Sequence, residues 1–101
     1  MANMKAQELI RRRTAVTETA FADIVVWQVP QPVPGSRHLF KYRLAFVVDG
    51  ECVLRYDNET GKGDHRHVGY HEEPYAFSNP RQLIVDFFGE ITRWMHEHGD
   101  A

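Results

Sequence analysis

The fold is set by residues 41–57, KYRLAFVVDGECVLRYD. Apolar and polar residues alternate on both sides of Asp49-Gly50, a dipeptide typical of tight turns between antiparallel strands. Matching the apolar faces of the two strands predicts a three-residue loop, Val48-Asp49-Gly50, with Gly50 in a left-handed conformation. The predicted cross-strand pairs are Phe46 with Cys52, Leu44 with Leu54, and Tyr42 with Tyr56.

The polar face of this predicted hairpin is basic. The same register places Arg43 opposite Arg55 and Lys41 opposite Asp57. Two guanidinium groups directly opposite each other repel, so the arrangement costs stability unless an anion lies between them. The hairpin is therefore the first indication of an anionic ligand.

Further elements extend outward from the hairpin. The residues FADIVVWQV, 21–29, predict a strand that ends at the proline-rich connector 30–35. Residues 8–16 fit neither helix nor strand period well, and we favour a strand. Asn79 and Pro80 open a helix with an apolar stripe of about four turns. The predicted fold is α+β, with an antiparallel sheet of four to five strands and a C-terminal helix packed on one face.

Composition sets broad limits on function. The chain has 101 residues and a formal net charge of −2, so we expect one domain over residues 1–101 and no uniformly basic surface. The lone cysteine, Cys52, favours a reducing compartment. Residues 1–13 lack the pattern of a signal peptide, and no stretch approaches about 18 consecutive apolar residues. We expect a cytoplasmic protein without a membrane partner.

Residues 57–67, DNETGKGDHRH, form the densest polar run. RNA cleavage without a metal requires a base for the 2′-hydroxyl, an acid for the leaving 5′-oxygen, and cations for the phosphate. His65 and His67 are the candidate catalytic pair. The candidate phosphate-binding residues are Lys41, Arg43, Arg55, Lys62 and Arg66, and the candidate supporting residues are Asp57, Asn58, Asp64 and Tyr75.

Two other interpretations of this run stay open. Its charges can simply pair locally, Asp64 with Arg66 and Asp57 with Lys41. Alternatively, a D-H-x-H-x₃-H pattern offers metal ligands, although the lysine and arginine inside the pattern oppose a dication. We therefore expect no metal and no cofactor. The residues of that pattern are Asp64, His65, His67 and His71.

Three motifs together resemble the TumE family of small prokaryotic proteins. They are VPGSRH at 33–38, GKGDHRH at 61–67 and EEPY at 72–75. The resemblance implies a toxin of a toxin–antitoxin pair and a partner antitoxin with a helix-turn-helix domain. It carries over no catalytic residues.

The combined prediction is a toxin-like protein that binds RNA and acts as a metal-independent ribonuclease. The alternative is a non-catalytic interaction module that docks a helix-turn-helix antitoxin or another protein. The sequence leaves a homo-oligomer open.

Overall fold

The computed structural model describes residues 5–99. Within them, six antiparallel strands form one sheet in the order β1 to β6, followed by a single helix, α1. The elements are β1 (Gln7–Thr17), β2 (Ala20–Gln28), β3 (Phe40–Val48), β4 (Glu51–Asp57), β5 (His65–Val68), β6 (His71–Pro74) and α1 (Pro80–Glu97). The α+β class and the strand over residues 8–16 are confirmed, whereas the predicted count of four to five strands is too low.

The core lies between α1 and one face of the sheet, called here the helix face. Every second residue of β2, β3 and β4 points into it, as a side-chain period of two requires. The helix contributes Leu83, Phe87 and Ile91, which recur at spacings of four. Burying three side chains of this size stabilises the fold by roughly 1.5–3 kcal/mol each before entropy is counted. The opposite side of the sheet, the open face, has no helix on it within residues 5–99.

The start of α1 follows from its local sequence. The Asn79 side chain accepts a hydrogen bond from the Gln82 backbone N–H at 2.8 Å, and Pro80 opens the first turn. The Gln82 side chain donates to Asp86 at 2.7 Å instead of reaching back to Asn79. The predicted cap is confirmed, but Gln82 does not complete a reciprocal capping box.

The central hairpin has a different register from the predicted one. Asp49 and Gly50 both have positive φ, 51° and 80°, and form a two-residue loop that pairs Val48 with Glu51. An extra residue, Val53, then bulges out of β4 and restores the match of apolar faces. The structure pairs Phe46 with Leu54, Leu44 with Tyr56, Ala45 with Arg55, and Arg43 with Asp57.

The predicted pairing of Arg43 with Arg55 is therefore wrong, as is that of Lys41 with Asp57. Arg43 lies opposite an aspartate, and Lys41 pairs with Trp27 of β2.

Beyond the Val53 bulge the observed register differs from the predicted one by two residues, so Leu54 and Tyr56 keep their predicted face while their partners change. Cys52 lies before the bulge, opposite Val47, and is exposed instead of facing Phe46 in the core, so its predicted position is wrong. Face matching cannot distinguish two such registers, and the conformational preference of Asp-Gly decides between them.

The additional strands are the short hairpin of β5 and β6. Gly69 and Tyr70 form its loop, and Gly69 has φ 62° at the first loop position, where a type II′ turn favours glycine. Both strands are four residues long and mostly polar, so they lack the alternation that marks a half-buried strand in sequence.

The connector after β2 packs against the loop between β4 and β5, with backbone against backbone at two glycines. Gly35 and Gly63 lie in these two segments and have φ values of 93° and 87°. A Cβ on Gly35 would meet the Gly63 nitrogen and would lie 2.8 Å from the Gly61 carbonyl oxygen. Nearby, the fully buried Asn58 donates to the Phe40 carbonyl at 2.8 Å. The connector thereby fixes the glycine-rich loop that precedes β5.

We expect Gly35→Ala to destabilise the protein more than Gly50→Ala. Both changes place a side chain at positive φ, which costs about 1–2 kcal/mol, but a Cβ on Gly50 meets nothing within 4 Å. The close backbone contact at Gly35 adds roughly 1–3 kcal/mol for overpacking. Urea unfolding of both variants measures the difference, and equal losses would contradict the packing described for this loop.

Candidate active site on the open sheet face

The open face carries two adjacent rows of side chains that run across four strands, from β3 to β6. Cross-strand pairing aligns Arg43, Asp57, His65 and Pro74 in one row. It aligns Ala45, Arg55, His67 and Glu72 in the other. Because neighbouring strands lie about 4.8 Å apart, residues next to one another in a row are in contact distance. The two predicted catalytic histidines, His65 and His67, therefore lie side by side, with ring centroids 5.0 Å apart.

Asp57 is the buried anion of this site. The residue is 3% exposed, and its two oxygens contact an arginine and a histidine. Arg55 Nε lies 2.8 Å from Oδ2, and His65 Nε2 lies 3.3 Å from Oδ1. The Arg55 Nε–H does not point at the oxygen, so this contact is an ion pair without a hydrogen bond from that nitrogen. A buried carboxylate needs such partners because its charge is otherwise desolvated without compensation.

His65 is held by both of its ring nitrogens. Its Nδ1 donates to the Gly63 carbonyl at 3.0 Å, which leaves Nε2 directed at the carboxylates of Asp57 and Glu72, at 3.3 Å and 3.4 Å. The Nε2 atom is therefore the ring nitrogen that faces the carboxylates of the open face.

His67 has the complementary environment. Its Nε2 accepts a hydrogen bond from Arg55 Nη2 at 2.9 Å and lies 3.5 Å from Glu72 Oε2. Burial lowers the pKa of His67 from its ordinary value of 6.5, and the positive charge of Arg55 lowers it further. The negative charge of Glu72 raises that pKa, but the lowering by burial and by Arg55 is larger. His67 thus presents a ring nitrogen that accepts hydrogen bonds.

Two of the predicted phosphate-binding cations remain unpaired. Among residues 5–99, neither Lys41 nor Arg43 has a carboxylate within 4.0 Å, and both are exposed. Lys62, which lies between Gly61 and Gly63, is paired instead: its Nζ is 3.9 Å from Glu72 Oε2. The free positive charge of the open face is therefore concentrated on β3.

Arg66 lies on the other side of the sheet. It donates to Glu73 of β6 at 2.7 Å and to Glu90 of α1 at 3.1 Å. Its pKa is raised by hydrogen bonding with the Tyr56 hydroxyl and with Glu73. Arg66 links the sheet to the helix, and the structure does not bring it together with the histidine pair.

The remaining predicted supporting residues are structural anchors around the connector. Asp64 accepts hydrogen bonds at 2.7 Å from the side chains of Ser36, His38 and Tyr42. Burial and the hydrogen bond to Asp64 raise the pKa of Tyr42, which keeps its hydroxyl protonated. Tyr75 donates to Asp86 of α1 at 2.5 Å. Asn58 donates to the Phe40 carbonyl at the start of β3, as described above.

The metal pattern considered in the sequence is not assembled. Asp64 faces the connector, and His71 lies on the helix side, 3.2 Å from Glu73. A different set, Asp57 with His65 and His67, brings one possible ligand atom from each residue within 4.8 Å of the others.

Glu72 is the main site residue that the sequence did not reveal. It reaches the histidines because the β5–β6 hairpin places it opposite His67. Gly69 could have indicated this contact in the sequence, because a two-residue loop at 69–70 pairs position 67 with position 72. His38 and Ser36 were also missed as Asp64 partners; they belong to the VPGSRH motif, whose spacing alone carries no pairing information.

A family model described as Toxin TumE matches residues 4–95. The chain belongs to the TumE toxin family. The match spans the connector, all six strands and most of α1, so it includes every side chain of the open-face site. No curated protein sequence and no solved structure matches the chain.

Membership in the TumE family supports a toxin role and, in general terms, an antitoxin partner. In residues 5–99, α1 is not apolar enough over its length to cross a membrane.

We expect acidification to reduce the stability that the Arg66–Glu73 ion pair gives to the fold. Hydrogen bonding to Arg66 lowers the pKa of Glu73 below its ordinary value of 4.5, so the pair stabilises the fold above that pH. The contribution is lost as the pH falls through the lowered pKa. Urea unfolding should show Glu73→Gln less stable than wild type at about pH 6, with a smaller difference at about pH 3.

The matched control is Glu59→Gln, because Glu59 is exposed and has no ion pair within residues 5–99. We expect this control to follow wild type at both pH values. A Glu73→Gln deficit of the same size at both would contradict the pairing.

Proposed function

We propose that this protein is the toxin of a prokaryotic toxin–antitoxin pair that binds and cleaves RNA without a metal ion in the cytoplasm. Its partner in this proposal is an antitoxin with a helix-turn-helix domain. The toxin role rests on the family match, and the RNA chemistry rests on the open-face site.

The observation that carries the proposal is the convergence of two histidine nitrogens. His65 Nε2 and His67 Nε2 lie 3.4 Å and 3.5 Å from the same Glu72 oxygen. In the proposed complex a phosphate group replaces this carboxylate between the two rings. Glu72 is on the edge strand β6 and 38% exposed, so its side chain can turn into solvent and admit the phosphate.

The reaction assigns one proton transfer to each histidine. Arg55 Nη2 moves from His67 Nε2 to the bound phosphate, and the freed Nε2 takes the proton of the 2′-hydroxyl. The resulting 2′-oxygen attacks phosphorus. The bond from phosphorus to the 5′-oxygen breaks, and His65 Nε2 protonates the leaving oxygen. The products are a 2′,3′-cyclic phosphate and a free 5′-hydroxyl, and water then restores the protonation states of the two rings.

The cations divide into two groups in this proposal. Arg55 and Lys62 flank the histidines, where they stabilise the negative charge that develops on phosphorus. Lys41 and Arg43 bind neighbouring phosphates along β3, because both are exposed and unpaired among residues 5–99. We leave Arg66 out of the phosphate-binding set, since Glu73 and Glu90 already neutralise it on the helix face.

Cleavage in EDTA tests the catalytic role. We expect wild type to cleave single-stranded RNA and leave cyclic phosphate ends, and His67→Ala to lower the rate about 10²–10⁴-fold. His71→Ala is the matched control. His71 follows the end of β5 by three residues, lies on the helix side of the sheet, and contacts neither the His65 ring nor the His67 ring. Intact RNA with folded wild type, or equal rates for wild type and His67→Ala, would overturn the ribonuclease proposal.

RNA affinity tests the binding role independently of cleavage. We expect Arg43→Ala to weaken binding and to reduce the slope of log affinity against log salt by about one. Arg81→Ala removes the same charge from exposed Arg81 on α1, and we expect it to bind like wild type. If His67→Ala protein shows no salt-dependent RNA affinity, the alternative of a non-catalytic module that docks an antitoxin is favoured instead.

A further inference from the structure

We propose that Asp57, His65, His67 and Glu72 form a binding site for a four-coordinate transition-metal ion such as Zn²⁺. We further propose that the bound ion inhibits the protein, and this second part rests on the proposed ribonuclease function. The site itself does not depend on that function. It is carried by the spacing, chemistry and burial of the four side chains.

Three of the six distances between the candidate ligand atoms match a tetrahedral ion, and the atoms of Asp57, His65 and His67 all lie within 4.8 Å of one another. A metal with ligand bonds near 2.05 Å separates neighbouring ligand atoms by about 3.3–3.5 Å. The structure gives 3.3 Å from His65 Nε2 to Asp57 Oδ1 and 3.4 Å from the same nitrogen to Glu72 Oε2. The distance from His67 Nε2 to Glu72 Oε2 is 3.5 Å. Two imidazoles and two carboxylates are also a donor set that zinc uses in proteins.

The supporting contacts have the form expected around a metal ligand. His65 Nδ1 donates to the Gly63 carbonyl at 3.0 Å, which fixes the ring with Nε2 directed at the cluster. Asp57 uses Oδ2 for Arg55, at 2.8 Å, and leaves Oδ1 on the side of His65. Asp57 and His65 are buried before any ion binds, so little side-chain entropy is lost on coordination.

Two cations oppose the ion, and the more distant of them is Lys62, whose Nζ lies 3.9 Å from Glu72 Oε2 and whose side chain is 67% exposed. Arg55 Nη2 lies 2.9 Å from His67 Nε2, the nitrogen that would coordinate, so the guanidinium must move before a cation enters. The Arg55 side chain is 32% exposed and can turn toward solvent. In the metal-free protein, Arg55 supplies the positive charge that the ion supplies in the bound form. The two carboxylates neutralise the charge of a divalent ion, which leaves Arg55 and Lys62 as the net charge of the bound site.

Metal binding and RNA cleavage require the same atoms. An ion on Nε2 of both histidines removes the nitrogen that accepts the 2′-hydroxyl proton and the one that protonates the leaving oxygen. It also holds Glu72 in the position that a phosphate must occupy. Zinc should therefore inhibit cleavage in proportion to occupancy of the site, and EDTA should reverse the inhibition.

A calorimetric titration of the full chain with Zn²⁺ alone tests the site without RNA. We expect one ion per chain, and Co²⁺ alone should give the intense visible absorption of four-coordinate cobalt. His67→Ala and Glu72→Gln should each weaken Zn²⁺ binding at least about tenfold, because each removes one ligand. His71→Ala and His96→Ala lie outside the cluster and should bind like wild type. Asp57→Asn is a secondary variant, since Asp57 is buried and its loss can unfold the chain.

The outcomes separate the site from the function. No stoichiometric binding, or equal affinity for wild type and His67→Ala, overturns the metal site and leaves the proposed function untouched. Stoichiometric binding with cleavage unaffected by Zn²⁺ overturns the inhibition alone. Cleavage that appears only with Zn²⁺ keeps the site but overturns both the inhibition and the metal-independent reaction. Stoichiometric binding that blocks cleavage and is reversed by EDTA supports the whole proposal.

Discussion

The buried carboxylate of Asp57 is the constraint on which the functional end of this molecule depends. Asp57 is 3% exposed, so neighbours within the fold must compensate its negative charge. Leaving a buried charge unpaired costs more free energy than any single surface contact contributes. Arg55 and His65 provide that compensation from β4 and from the adjacent strand β5. The same pairing of β4 with β5 brings His67 beside Arg55, so the candidate active site follows from how one anion is accommodated.

The sheet sorts its charges by the parity of their positions. Residues 65 and 67 point to the open face, while Arg66 between them points to the helix and joins Glu73 and Glu90. One short strand thereby contributes both to the site and to the attachment of α1. Asp64, one residue earlier, anchors the proline-rich connector. This arrangement keeps the two histidines on a strand whose ends are fixed, which suits a site that requires defined side-chain geometry.

Part of this organisation was predictable and part was not. The period of two in residues 41–57 predicted the buried side chains of the hairpin except Cys52, which is exposed, and the capping sequence at Asn79 predicted where the helix starts. The hairpin register was not predicted correctly, because beyond the bulge a shift of two residues leaves each side chain on its face. The β5–β6 hairpin escaped prediction since its short strands have polar side chains on both faces. Glu72 escaped with it.

The sequence by itself determined the fold class, the buried face, the helix and the pair of histidines that share a face. These are local properties, set by side-chain period, turn preference and capping over a few neighbouring residues. The tertiary structure decided which charges meet. It joined Asp57 to Arg55 and left Arg43 without an ion pair among residues 5–99, turned Arg66 toward Glu90, and brought Glu72 to the histidines. The physical reason is that an ion pair depends on strand register and on the approach of a distant helix, and a single bulged residue changes the register while the buried side chains beyond it stay on the same face.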